Sequence, residues 1–213
     1  MRTGLLTLLH AMRPAWAVRS APAAPTAAPT ASQWHAPCGT LLTLRPSRPD
    51  DAALLGGLLD GGLSPAARRN RFHGSVGRLS AARLAWLAGT DFSRHAAFIV
   101  THGAAGTEQA VAEGRWVCTG GQPEAEFALS VADAWQGLGV GRRLLAALVD
   151  TARRRGLHTL VGDVLQANQA MQALAGSLQF ACDDHPDDAG LVRATLALRQ
   201  PRRGLLSGNA WLH

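Results

Sequence analysis

Trp135-Gln-Gly-Leu-Gly-Val-Gly-Arg-Arg-Leu-Leu145 joins two segments of different periodicity. Before it, Glu124 to Ala132 alternates polar and apolar residues as a half-buried strand does. After it, Val140 to Arg155 places Leu144, Leu145, Leu148, Val149 and Ala152 on one face of a long helix. Glycines at 137, 139 and 141 let a ligand approach the backbone closely, and the helix start offers N–H groups with no intrahelical partner. With the positive end of the helix dipole, Arg142 and Arg143 complete a site suited to phosphate. Three phosphate motifs compete for this turn. A P-loop needs GxxxxGK[ST], and the chain contains no lysine. The dinucleotide fingerprint GxGxxG fails in both frames, because its third glycine falls on Arg142 or Leu144, although Asp163 stands where a ribose ligand would. The pattern [Q/R]xxGx[G/A] fits, on Gln136, Gly139 and Gly141.

On either side of this turn, strand and helix patterns alternate. Thr40 to Leu44 reads as a strand, Ser47 to Leu59 as an amphipathic helix with an acidic first turn, and Ser64-Pro65 as the start of a second helix. Ser80 caps a third, Ala81 to Ala88. Ala96 to Val100 and Ala110 to Thr119 are strands around a polar turn, His158 to Leu165 is a strand, Asn168 to Ser177 a helix, and Leu191 to Leu198 the last strand. Three strands joined by short turns, followed by a strand–helix–strand unit, predict a mixed α/β (α+β) fold: a central mixed sheet with helices on its faces. Ala21 to Ser32 repeats Ala, Pro and Thr and suits an extended linker. The expected organisation is therefore a disordered tail over 1–37, one domain over 38–200, and a C-terminal tail over 201–213.

Composition narrows the function. The chain has 213 residues, no tyrosine, and only arginine among its 21 Lys and Arg positions, a bias that reads as GC-rich coding. The pI is near 11, yet residues 50–199 hold 14 arginines against 15 acids, so the body is neutral and a nucleic-acid partner is not expected. Cys38, Cys118 and Cys182 lie far apart with no CxxC, which excludes a zinc knuckle and points to a reducing, cytoplasmic setting. The acid-free, Arg-bearing leader also resembles a transit peptide, and Ala15-Trp16-Ala17 mimics a cleavage site. No apolar run is long enough for a membrane span. His73, His95, His102 and His158 lack HxH or HExxH spacing, so no metal is expected, and His185 among Asp183, Asp184, Asp187 and Asp188 reads as a solvated acidic loop.

Ala125-Glu-Phe-Ala-Leu-Ser-Val131, the Gln136 to Gly141 loop and its helix, and Asn168-Gln-Ala-Met171 with Leu178-Gln-Phe180 together resemble the GNAT superfamily of acyl-CoA-dependent N-acetyltransferases. The likeness spans roughly residues 40 to 199 and implies a mostly antiparallel sheet of six to seven strands. Leu44-Arg-Pro46, Leu63-Ser-Pro65 and Arg71-Phe72 are similar, more narrowly, to the bacterial protein lysine acetyltransferases, in which the catalytic module often follows an acyl-CoA-synthetase-like region that is not expected here. The resemblance implies acetyl-CoA as cosubstrate. Its pantetheine arm would pair with Leu129, Ser130 and Val131, and its pyrophosphate would lie on the backbone of Gln136, Gly137, Leu138, Gly139, Val140, Gly141 and Arg142. Asn168 would stand near the pantetheine.

The amine that attacks the thioester must first lose a proton, since an alkylamine has a pKa of about 10.4. Strand alternation puts Glu124, Glu126, Ala128 and Ser130 on one face, the two glutamates about 7 Å apart. Glu126 occupies the position that resembles the catalytic glutamate of protein lysine acetyltransferases and is the expected general base; Glu124 is second. The tyrosine that many family members place seven residues after the asparagine is Ala175 here, and Gln179 replaces the glycine before Phe180. A thiol with a pKa near 8.5 leaves adequately without an acid. The acceptor is expected to be a protein lysine; the alternatives are a small amine, or a weakly catalytic acyl-CoA-binding module.

Overall fold

The computed structural model describes residues 29–104, 106–118 and 123–198. Among these residues eight strands form one sheet: β1 Ser32–His35, β2 Leu41–Pro46, β3 His95–His102, β4 Gln109–Cys118, β5 Glu124–Val131, β6 Thr159–Leu165, β7 Ala181–Asp184 and β8 Leu191–Ala197. Their spatial order is β1-β2-β3-β4-β5-β6-β8-β7, and every neighbouring pair is antiparallel except β5 and β6. The parallel step follows from the connection, because β5 reaches β6 through a whole helix rather than a hairpin.

Among the described residues five α-helices cover the sheet: α1 Ala52–Gly56, α2 Pro65–Phe72, α3 Ala81–Ala88, α4 Val140–Arg155 and α5 Gln169–Ser177. On one face Leu144, Leu145 and Leu148 of α4 pack with Trp116, Phe127 and Leu160, and Ala175 of α5 joins them. On the other, Leu55, Leu58, Leu59 and Leu87 of the front helices enclose Ile99 of β3. Ser64 and Ser80 cap α2 and α3 by accepting from the N–H groups of Ala67 and Arg83.

Three elements depart from the sequence reading. The segment expected as one helix from Ser47 breaks into a 3₁₀ turn (Pro49–Asp51), α1 and a π turn (Gly57–Gly62). Two glycine pairs weaken the helix there. Asp51, read as a first-turn acid, is buried and grips Arg45 at 2.7 and 2.8 Å. The strand β7 lies in the expected acidic loop, all four residues exposed and paired with β8 on one side. The strand β1 lies inside the expected N-terminal tail, so the sheet begins before residue 38: Ser32–His35 pairs with Leu41–Leu44, Gln33 donates to the Thr43 hydroxyl at 3.1 Å, and Arg143 of α4 sits 4.9 Å from the Trp34 ring centroid. The expected tails at 1–28 and 201–213 lie outside the described residues.

Removing residues 1–37 deletes β1 and the Trp34 contact. A loss of about 1–2 kcal/mol is expected, which for a domain of this size lowers the Tm by about 3–6 °C in a thermal melt. An unchanged Tm would show that β1 adds nothing to the fold.

Candidate active site

The strands β5 and β6 pair only at their start, with Glu124 opposite Thr159, Ala125 opposite Leu160 and Glu126 opposite Val161. Beyond Glu126 the two strands run on without pairing, and the β6-facing backbone of β5 has no strand partner. On the α4 side, the Phe127 ring fills the gap beside β6. A Cβ at Gly162 would stand 2.6 Å from that ring, so only glycine admits it, and Phe180 packs on it with centroids 5.1 Å apart.

A cavity of about 500 Å³ opens where the strands part. Glu126, Leu129, Ser130, Val131, Gln136, Gly137, Gly139, Gly141, Arg142 and Asn168 all line it. Two expected residues do not. Val140 is fully buried in the core and Leu138 packs against it, so only their backbones belong to the loop. Gly139 is the N-cap of α4 with φ +80°, and the space a side chain would enter at Gly137 and Gly139 is open. The site therefore fits acyl-CoA twice over: a free strand edge for the amides of pantetheine, and an open helix N-terminus for its pyrophosphate.

The loop's side chains brace it. Gln136 Nε2 donates to the Val131 carbonyl at 3.0 Å, tying the loop to the end of β5. Arg142 donates to the carbonyl and hydroxyl of Ser177 at 3.2 and 2.9 Å, linking α4 to α5. Asn168 Oδ1 accepts from the Met171 N–H at 3.2 Å and caps α5, leaving its amide N–H₂ for the cavity. At the far end of α5, Gln179 takes the left-handed conformation (φ +68°) that glycine would hold at lower cost.

The sequence reading missed Glu113 and its partners. Glu113 and Arg115 are two apart on β4 and so share a face, a spacing that pattern alone could have flagged. Glu113 is wholly buried, accepting from Arg71 Nε at 2.6 Å, Arg115 Nη2 at 2.7 Å and Ser130 Oγ at 3.1 Å. Arg115 also donates to the Leu87 carbonyl at 2.8 Å. Burial pushes the Glu113 carboxyl up, but Arg71 and Arg115 outweigh it and hold the group down at about 2. A carboxyl depressed in the folded state contributes stability that is complete above its unfolded value and is lost as pH falls through the folded one, here between about 4.5 and about 2. Ser130 is thus a buried tie to this network as well as part of the cavity wall.

Glu126 has a different setting. It projects from the same face as Ser130 and forms no ion pair among the described residues. Burial foremost, then the Asp163 carboxylate, raises it to about 7, against the lowering pull of Arg193 and Arg71. Glu124, the second candidate, is half-buried at the strand entry and does not line the cavity. His73, in a left-handed turn after α2, forms part of the wall; burial lowers it, which keeps it neutral. His185, expected in a solvated loop, is instead buried, accepts from the Asp187 N–H at 3.1 Å and faces Asp163 at 3.4 Å. Among the described residues no group of three or more His, Cys, Asp or Glu could hold a metal ion, and no helix is long and apolar enough to cross a membrane.

Residues 84–180 match the model of the acetyltransferase (GNAT) family. An acetyltransferase of Pseudomonas aeruginosa is 35% identical over 136 residues, covering 64% of this chain and 73% of that protein. The acetyltransferase Pat of Mycolicibacterium smegmatis is 32% identical over 142 residues, covering 66% of this chain but 41% of its own length. The GNAT domain of PAT from S. lividans superposes with a TM-score of 0.69 at 26% identity, covering 79% of this chain and 97% of that one. Sequence likeness, sheet order and the parted strands agree: the chain belongs to the GNAT family and is an acetyl-CoA-dependent N-acetyltransferase.

Proposed function

We propose that this enzyme acetylates the side-chain amine of a protein lysine, with Glu126 as the general base. The observation that carries the base is the half-buried carboxyl of Glu126 at the point where β5 leaves β6, without an ion pair among the described residues and pushed up to about 7 by burial and the Asp163 carboxylate. A base whose pKa lies near the working pH is about half ionised and still basic enough to take a proton from an alkylammonium, directly or through one water. Acetyl-CoA supplies the acetyl group as a thioester. Leu129 to Val131 offer the strand edge that orients it, the Gln136 to Arg142 backbone carries its pyrophosphate, and Asn168 stands beside the arm.

The acids of the cavity wall bear on the acceptor. Among the described residues they are Glu126 and Asp163, and Asp163 is ion-paired with Arg193. Asp60 binds Arg68 and the Leu79 N–H, Asp91 accepts from the N–H groups of Ser93, Arg94 and His95, and Asp133 accepts from Ser64. One free carboxyl suits one ammonium and gives a polyamine or aminoglycoside too few partners. The front-helix likeness to protein lysine acetyltransferases supports the same acceptor.

Glu126→Gln is expected to lower the acetylation rate about 100-fold or more while calorimetry finds acetyl-CoA affinity nearly unchanged. In the wild type the rate should climb with pH through about 7, since the carboxylate form that accepts the proton predominates only above that value. An equal loss in Glu124→Gln, with Glu126→Gln near wild type, transfers the role. Gly139→Val forces a branched residue into φ +80° and fills the cradle, so CoA binding should weaken at least tenfold. Normal CoA affinity there rejects the loop as the phosphate site. The acceptor is tested by incubating lysates with labelled acetyl-CoA: a folded protein should be labelled faster than spermidine, kanamycin or free lysine at equal concentration. Rapid turnover of one of those amines with no labelled protein rejects the protein-lysine reading.

A further inference from the structure

Beside Glu126 the sheet carries an ion pair that proton transfer to the base does not itself require. Glu126 stands opposite Val161 in the parallel register, so Asp163, two residues further along β6, projects from the same face, lies diagonal to it across the parting strands, and lines the same cavity. Directly across from Asp163 on β8 is Arg193, with Nε 3.0 Å from Oδ1 and Nη2 3.4 Å from Oδ2. His185 closes on Oδ2 at 3.4 Å, and the Asp163 side chain is only 10% exposed. A base, an anion and a cation thus stand in that order across three strands.

The remaining charged and titratable neighbours are fixed or remote. Glu124 is on the same strand, one pleat nearer the entry. From α2 come Arg71, whose guanidinium is engaged by Glu113, and His73, which burial keeps neutral and which bonds the Asp163 backbone. β4 presents Val117 opposite Glu126 and Arg115 diagonal to it, the latter held by Glu113 and the Leu87 carbonyl; α3 adds Arg83 at the cavity wall, and the α5 segment facing the cavity carries no charge. The Asp163–Arg193 pair is therefore the group whose balance Glu126 feels most directly.

We propose that Asp163 and Arg193 are positioning residues for Glu126, a charge pair with its anion toward the base that sets the pH above which Glu126 takes the acceptor's proton. This rests on Glu126 as the base. The two halves act in opposite senses. Removing the anion leaves an uncompensated guanidinium near Glu126 and favours the carboxylate; removing the cation leaves an uncompensated Asp163 and disfavours it.

The test is a carbon-13 NMR titration of the full chain labelled at its glutamate carboxyls. There are four glutamates, and Glu126→Gln identifies the Glu126 signal. Asp163→Asn should lower the Glu126 midpoint by about one pH unit and Arg193→Gln should raise it by a similar amount, while Arg193→Lys restores it. The rising limb of the kcat/KM–pH profile should move in step. Movement of both midpoints in the same direction, or by less than about 0.3 unit in variants that melt cooperatively, overturns the proposal and leaves the pair as a tie between β6 and β8. Full turnover by Glu126→Gln with the midpoints still moving in opposite directions removes only the base assignment and upholds the pair's effect on Glu126.

Discussion

Everything functional here depends on two parallel strands that cannot stay together. Three residue pairs hold β5 to β6, and then the Phe127 ring takes the space beside Gly162 that continued pairing would close. An unpaired strand edge inside a domain is ordinarily a liability, because its N–H and C=O groups must find partners. In this fold the edge is a template: a ligand with amides along an extended arm can complete the sheet. The same departure opens the cavity and leaves Glu126 as the last residue in register, at the cavity wall.

The buried Glu113 cluster fixes the other wall. A carboxylate with no solvent exposure survives only because two guanidiniums and a hydroxyl take up its lone pairs, and each partner comes from a different piece of the chain. Arg71 belongs to α2, Arg115 to β4, and Ser130 to the free edge of β5; through the Leu87 carbonyl the cluster also reaches α3. Losing Glu113 from such a set leaves two guanidiniums without their counter-charge, a deficit of about 3–5 kcal/mol. The front helices bury few large side chains of their own, α2 none, so polar anchoring decides where they sit over the cavity.

How far the sequence could be read follows from which signals are local. The Gln136–Gly141 turn, α4 and the strand before it are periodic, and local pattern places them within a residue of where they lie. The direction of Glu126 followed from alternation alone. By contrast, β1 and β7 are four residues each, with Ser-Gln-Trp-His and Ala-Cys-Asp-Asp showing no apolar alternation, and their existence depends on neighbours that pattern cannot see. The partnership of Arg71 with Glu113 spans 42 residues, and that of Asp163 with Arg193 spans 30. Such pairings become visible only once the strand order is known. Leu138 and Val140 illustrate a finer limit: a motif identifies a backbone, while the packing beneath it decides which way each side chain turns.

The cavity's basic residues are Arg71, Arg83 and Arg142, together with the neutral His73; none is an amine. A guanidinium stays protonated throughout the working range of a cell and has no lone pair with which to attack a thioester. An ammonium in the same positions would be one proton away from becoming a competing nucleophile beside an activated acetyl group. Building the wall's cations and its charge pairs from arginine keeps those cations inert toward the site's own chemistry, so turnover cannot erode the electrostatics on which turnover relies.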